Sequence, residues 1–378
     1  MSRRGAMKCG LAFMTTAAAT SINTRRVSAS DPPGTRGIGD VETPTFYRRD
    51  IGTSPGRMHE PTAGQDGNIW TSPLDGSLWQ YHTRSGKTTI HDLHQLTGEE
   101  WSGRHLWPIA YKNKVYLCTP GLSHLTVWDR ETNQVSRHPI PYENPAVYGG
   151  FVDRRSSRIY FYDTKHASVL EWEPDSETGQ SFPCPYKLSG TLYMTFEEFE
   201  RREIWGSTYT GNDIVRFDLD SRTWTGHFQS PEPEATPSAG SKVFGETLYC
   251  SDHLKGRILP LNVTTGEWGS PIKVPGFGKW YGYLSGGWYF RGRLYICHST
   301  WTGGNGSLDG EPHHFIGTWT VFDPMTQGFS RLEIPTLPSE ERKYLMSDYC
   351  AIFEDELFIL AVNKFDPQTV IVLQTRPI

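Results

Sequence analysis

The chain has no acidic residue between Met1 and Ser30, no apolar run long enough to span a membrane, and no block of lysine and arginine. The last two absences exclude a helical membrane anchor and the basic footprint of a nucleic-acid binder, and a net charge of −5 points the same way. Cysteine is scarce, and no two cysteines form a CxxC pair. That excludes a zinc knuckle and a disulfide framework. With Cys9 set aside in the N-terminal segment, Cys118, Cys184, Cys250, Cys297 and Cys350 read as small buried hydrophobes.

The acid-free start has its own pattern. Ser2-Arg3-Arg4-Gly5-Ala6-Met7-Lys8 resembles a bacterial twin-arginine export motif. A mildly apolar stretch runs from Gly10 to Ala19, and Val27-Ser28-Ala29 supplies small residues for cleavage before Ser30. The expectation is an export signal over residues 1–30 and a periplasmic or secreted protein. A mitochondrial presequence and a disordered tail are the alternatives. Residues 31–44, with Asp31-Pro32-Pro33-Gly34, read as a linker.

What the chain does have is aromatic residues, at 13% with 13 Trp, and abundant Gly and Pro. This composition suits many short strands and tight turns. The aromatics fall in a repeating phrase: an aromatic strand, a turn, and a second strand ending near Trp or Asp. Copies occur at Ile69-Trp70, Val115-Tyr116, Ile159-Tyr160, Ile204-Trp205, Leu248-Tyr249, Leu294-Tyr295 and Leu357-Phe358. Most lie roughly 45 residues apart, the period of four-stranded propeller blades. The pattern predicts an all-β, seven-bladed propeller over 45–378, with blades near 59–98, 104–141, 148–187, 189–232, 236–276, 280–337 and 344–378. The last has only three strand candidates. Residues 45–51 therefore supply its fourth, outer strand, which removes the open edge of a linear array.

The repeat frame also shows which distant residues meet. His59 and His105 are separated by the same spacing as Ile69-Trp70 and Val115-Tyr116, so both stand where the chain enters an innermost strand. Asp163, Asp252, His253 and His298 stand where second strands end. Entrances of first strands and exits of second strands share one face, so these groups converge on one mouth of the channel. His313 and His314 join them from a Gly-rich insertion in blade six, Thr302–Phe315. Imidazoles and carboxylates from several blades suit a divalent cation (Mg, Ca or Mn) or acid–base chemistry. The alternative is that each His satisfies a loop carbonyl. Thr88-Thr89-Ile90-His91-Asp92-Leu93-His94 reads as an outer strand, placing His91 and His94 on opposite faces. Arg57, Arg104, Lys279, Arg342 and Lys343 lie in blade-to-blade loops, where they favour an anionic ligand. Trp107, Trp280, Tyr281, Tyr283 and Trp301 at the same level offer rings for stacking.

The segment Met58-His59-Glu60-Pro61-Thr62-Ala63-Gly64-Gln65-Asp66-Gly67-Asn68-Ile69-Trp70-Thr71-Ser72 resembles the repeat of the virginiamycin B (streptogramin) lyase family. The resemblance implies seven blades, a hairpin turn at Asp66-Gly67-Asn68, and a channel histidine at His59. It further implies cleavage of a carbon–oxygen bond by elimination, assisted by Mg²⁺. In that scheme His105 or His298 is the base, and His59, Asp252 and His253 surround the cation. Arg57, Arg104, Trp107, Lys279 and Tyr281 hold a lactone or uronate-containing oligosaccharide at the channel mouth of a monomer. Where family repeats carry Glu this chain has Pro73, and no Glu-x-His pair stands in the family's metal-binding frame. A non-catalytic propeller that binds a ligand or protein on the same face is the competing reading.

Overall fold

The computed structural model describes residues 46–53, 61–252, 255–275, 283–299, 318–333, 345–353, 355–363 and 369–375. Residues 1–44, where an export signal and a linker are expected, and the blade-six insertion lie outside them. Among the described residues are seven separate antiparallel sheets, and strand order follows the chain in each except the last, whose outer strand comes from the N-terminal side of the propeller. The innermost strands are Thr62–Ala63, Trp107–Tyr111, Val147–Asp153, Thr191–Glu198, the broken pair Pro237–Ser238 and Val243–Phe244, Tyr283–Phe290, and Leu345–Phe353.

Second and third strands are buried on both faces because each sheet is sandwiched between two others. Asn68–Thr71 is buried throughout, as are Val115–Cys118 and Leu125–Trp128. These strands therefore read as nearly continuous apolar runs. Outer strands such as Lys87–Asp92 and Gln134–Pro139 are half solvated and carry the polar residues. The tight hairpin of blade one depends on Gly67, whose φ of +77° suits glycine, and on Asp66. The Asp66 carboxylate accepts from the Asn68 N–H at 3.2 Å and from the Trp70 indole at 3.3 Å, and meets Arg130 of blade two at 2.7 Å.

Packing shows that the ring closes. Seven core clusters lie one between each pair of neighbouring blades. An open row of seven sheets has only six such interfaces. The seventh joins the last blade to the first: Ile69, Trp79 and Tyr81 pack against Phe353, Phe358, Leu360, Val370 and Val372. Each buried aromatic in such a cluster contributes about 2–3 kcal/mol of hydrophobic stabilisation. A buried hydrogen bond of 2.7 Å from the Tyr81 hydroxyl to Gln374 reinforces this seam.

The closing strand is Tyr47–Thr53, two residues later than the sequence suggests, and it pairs antiparallel with Thr369–Gln374. It bulges between Asp50 and Gly52. Gly52 is required there, because a Cβ would come within 2.8 Å of the Trp79 ring. A second difference lies in blade one. Its outer strand stops at Asp92, and His94 sits in a one-turn helix, Leu93–Thr97. Asp92 caps the Gln95 N–H, and Gly98 ends the helix in the left-handed conformation. Among the described residues no helix is long and apolar enough to cross a membrane.

Candidate functional site

The innermost strands surround a cavity of about 930 Å³ that runs toward their hairpin turns. Hydrogen-bond register makes one ring of it comparable in all seven blades. Ala63, Ala110, Val152, Glu197, Val243, Tyr289 and Ile352 each pair with the aliphatic residue that begins the second-strand phrase. Glu197 is the sole charge at this level. It lines the cavity, and the only donor turned to its carboxyl among the described residues is its own backbone N–H. The side chain is half-buried, facing the cavity. Desolvation pushes its pKa up to about 7, opposed by the hydrogen bond from that N–H.

At the turn end the charges are mostly spent on one another. Arg202 meets Asp153 at 2.7 Å and Asp220 at 2.9 Å, tying blade three to blade four. Burial alone would raise the Asp153 carboxyl, but hydrogen bonds from Arg202, Ser156 and the Arg155 N–H outweigh it and hold the group below its usual value. Arg291 meets Asp355 at 3.0 Å. Lys242 meets Glu198 at 2.8 Å and also pairs with Glu200. Arg154 and Arg155, exposed at the same rim, have no side-chain partner among the described residues.

The opposite, loop-side mouth carries aromatic rings. His105 lies 6.2 Å from Trp107, Trp107 lies 4.7 Å from Tyr148, Tyr148 lies 5.6 Å from Tyr193, and Tyr193 lies 5.6 Å from Tyr209. The arc crosses blades two, three and four. His105 is exposed, Trp107 is buried beneath it and lines the cavity, and Tyr209 is 37% exposed. Burial raises the Tyr148 hydroxyl above its usual pKa, so that residue stays neutral.

The residues singled out from sequence fall as follows. His105 and Trp107 are adjacent on the arc. Arg104 is turned back onto the Glu100 carbonyl at 2.8 Å. His298 lies at the end of a second strand, paired in register with Leu284. Asp252 is fully buried, accepting from the Thr236 N–H at 3.2 Å, the Thr236 hydroxyl at 3.3 Å and Arg257 at 2.8 Å. Asp163 does the equivalent work in blade three. It accepts from the Ala146 N–H at 2.9 Å and from His166 at 2.6 Å. Both carboxylates thus pin the chain where it enters an innermost strand. Arg57, His59, His253, Lys279 and Tyr281 lie outside the described residues, as do Trp280, Trp301, His313, His314, Arg342 and Lys343.

A divalent cation is the cofactor that the lyase resemblance implies. Among the described residues no three His, Cys, Asp or Glu side chains gather to hold one. Asp252 does not fit the role, because both its oxygens are used and Arg257 neutralises it. Cys118, Cys250, Cys297 and Cys350 are buried, as small hydrophobes are, Cys184 is half-buried, and none of these five forms a disulfide.

Sequence reasoning missed Glu197, Arg154, Arg155 and the three tyrosines of the arc. The available signal for Glu197 was an acidic residue on a first strand whose counterparts in other blades are chiefly apolar.

No family model and no curated protein matches the chain. Solved structures do. A streptogramin B lyase structure superposes with a TM-score of 0.60 at 13% identity, covering 87% of this chain and 97% of the other. A virginiamycin B lyase from Staphylococcus aureus superposes with a TM-score of 0.62, also at 13% identity, covering 87% and 98%. The chain therefore has the seven-bladed propeller fold seen in those lyases.

Proposed function

We propose that the chain is an exported propeller lyase that breaks a carbon–oxygen bond by elimination at the loop-side mouth. The observation that carries this reading is the aromatic arc ending in the exposed His105, on a fold shared with lyases. A ring-bearing substrate stacks on Trp107 and the tyrosines. His105 takes a proton from the carbon next to a carbonyl. The electron pair forms a carbon–carbon double bond, the bond to the ester or ether oxygen breaks, and the leaving oxygen takes up a proton. His298 is the second candidate base. A cyclic lactone or a uronate-containing oligosaccharide supplies the acidic carbon this step needs.

Incubation with both substrate classes tests the proposal, with the new double bond followed by absorbance. His105→Ala is expected to lower turnover at least about a hundredfold, the usual contribution of a positioned base, with the melting temperature unchanged. Absence of unsaturated product from either class would sink the lyase reading. A non-catalytic ligand-binding role is the second reading, favoured by an arc that stacks a planar ligand without any chemistry. Under it, ligand stabilises the fold in the wild type and in His105→Ala alike. Mg²⁺, Ca²⁺ and Mn²⁺ added singly to a thermal melt test the cation: a raised midpoint supports it. Export rests on residues 1–30, and retention of an Arg3→Lys/Arg4→Lys variant in the cytoplasm of a bacterial host is its expected signature.

A further inference from the structure

We infer that the hairpin-turn end of the axial cavity is a second ligand site, taking an organic anion with an aromatic or apolar body, and that protonation of Glu197 opens it. This site lies at the other end of the channel from the loop-side mouth, and it stands whether or not the lyase reading does.

Three observations converge. The cavity is large enough for a small molecule, at about 930 Å³. Its walls at this end are rings: Phe151 meets Phe199 edge-on at 5.7 Å, and Phe196 meets Trp288 edge-on at 5.8 Å, all four lining the cavity. The contact between Phe196 and Trp288 joins blades four and six. It forms where the inner strand of blade five breaks and turns to the Gly287 carbonyl, which accepts from the Ser241 N–H at 2.8 Å.

The third observation is charge. Of the cations at the rim, Arg202 and Arg291 are held by Asp153, Asp220 and Asp355, and Lys242 by Glu198 and Glu200. Arg154 and Arg155 remain without an ion-pair partner among the described residues; because Arg202 and Lys242 each face two carboxylates, the pull on an anion is local to this pair and does not come from the rim as a whole. An anionic head group is what such a pair attracts. Glu197 stands further in, with no countercharge among the described residues. Protonated, it is a neutral hydrogen-bond donor to an anion. Ionised, it repels one inside the same cavity. Tyr289 is the other titratable side chain at its level of the ring.

The test uses the full chain and 2-naphthalenesulfonate, whose sulfonate is ionised at every pH examined, so any pH dependence belongs to the protein. Calorimetric titration is expected to show Kd weakening about five- to tenfold from pH 6 to pH 9, as a nearby anion raises the Glu197 pKa by about one unit. Glu197→Gln is expected to bind at both pH values with the affinity that the wild type has at pH 6. Arg154→Ala/Arg155→Ala is expected to weaken binding at both. A naphthyl trimethylammonium is expected not to bind. The inference is overturned by absence of sulfonate binding, by the same pH slope in Glu197→Gln, or by preference for the cation. Thermal melts of the variants confirm folding, and Glu197→Asp, which keeps the titrating group, retains a pH slope.

Discussion

Arg202→Ala is expected to destabilise the protein by about 3–5 kcal/mol at pH 7, the usual cost of leaving a buried charge without its partner. Asp153 is 1% exposed and Arg202 9% exposed. Removing the guanidinium leaves the Asp153 carboxylate with only Ser156 and the Arg155 N–H. The pH dependence follows from the sign of the shift. Asp153 titrates below its ordinary value of 3.8 in the folded state. Its interaction with Arg202 therefore stabilises above about pH 4 and fades as pH falls through the folded pKa. Urea denaturation should show a large gap between wild type and variant at pH 7 that narrows near pH 3. An Arg202→Ala/Asp153→Asn double variant should recover much of the loss, because the stranded charge is gone. Additive losses would show that the pair is not coupled.

Glu197→Gln is expected to do the reverse and stabilise the protein at neutral and alkaline pH. A carboxyl raised from 4.5 to about 7 binds more protons folded than unfolded across that interval. Folding stability therefore drops as pH rises from 4.5 to about 7, then levels off with the full penalty in place. The interval corresponds to a penalty of about 3 kcal/mol, less whatever solvation cavity water restores. The variant should thus match the wild type near pH 4.5 and exceed it by about 2–3 kcal/mol at pH 8. Equal stability at both pH values would mean that the cavity solvates the carboxylate as bulk water does. Such a penalty, kept in the middle of a channel, is the kind of cost that functional sites carry.

The fold was legible because blades repeat a phrase. An aromatic strand at a near-constant period needs no tertiary information to be seen, and an unpartnered strand near Thr45 together with a three-stranded last blade pointed to the seam. The site was legible only in part. Equal spacing placed His105 at a mouth of the channel, next to Trp107. Spacing does not fix where a side chain turns, however. Asp163 and Asp252 stand at strand exits as expected, but both turn to the entering backbone, whose N–H groups would otherwise be unsatisfied.

Glu197 was hidden for another reason. The hairpin turns differ in length, so Ala63 lies closer to Ile69 in sequence than Glu197 does to Ile204, although both pairs are in register. Counting back from the aromatic phrase misaligns the ring. The stretch Glu197-Glu198-Phe199-Glu200 also reads as a solvated turn, since most charge runs are. Only hydrogen-bond register separates Glu198, paired with Lys242, from Glu197, which has no such partner.

Burial in the channel holds the Glu197 carboxyl near neutrality. Carbon-13 NMR of protein labelled at the glutamate δ-carbon tests it most directly. One resonance should titrate with a midpoint near 7 and be missing from Glu197→Gln. If every glutamate instead titrates near the ordinary 4.5, the carboxylate is well solvated, and neither the stability penalty nor the anion gate exists.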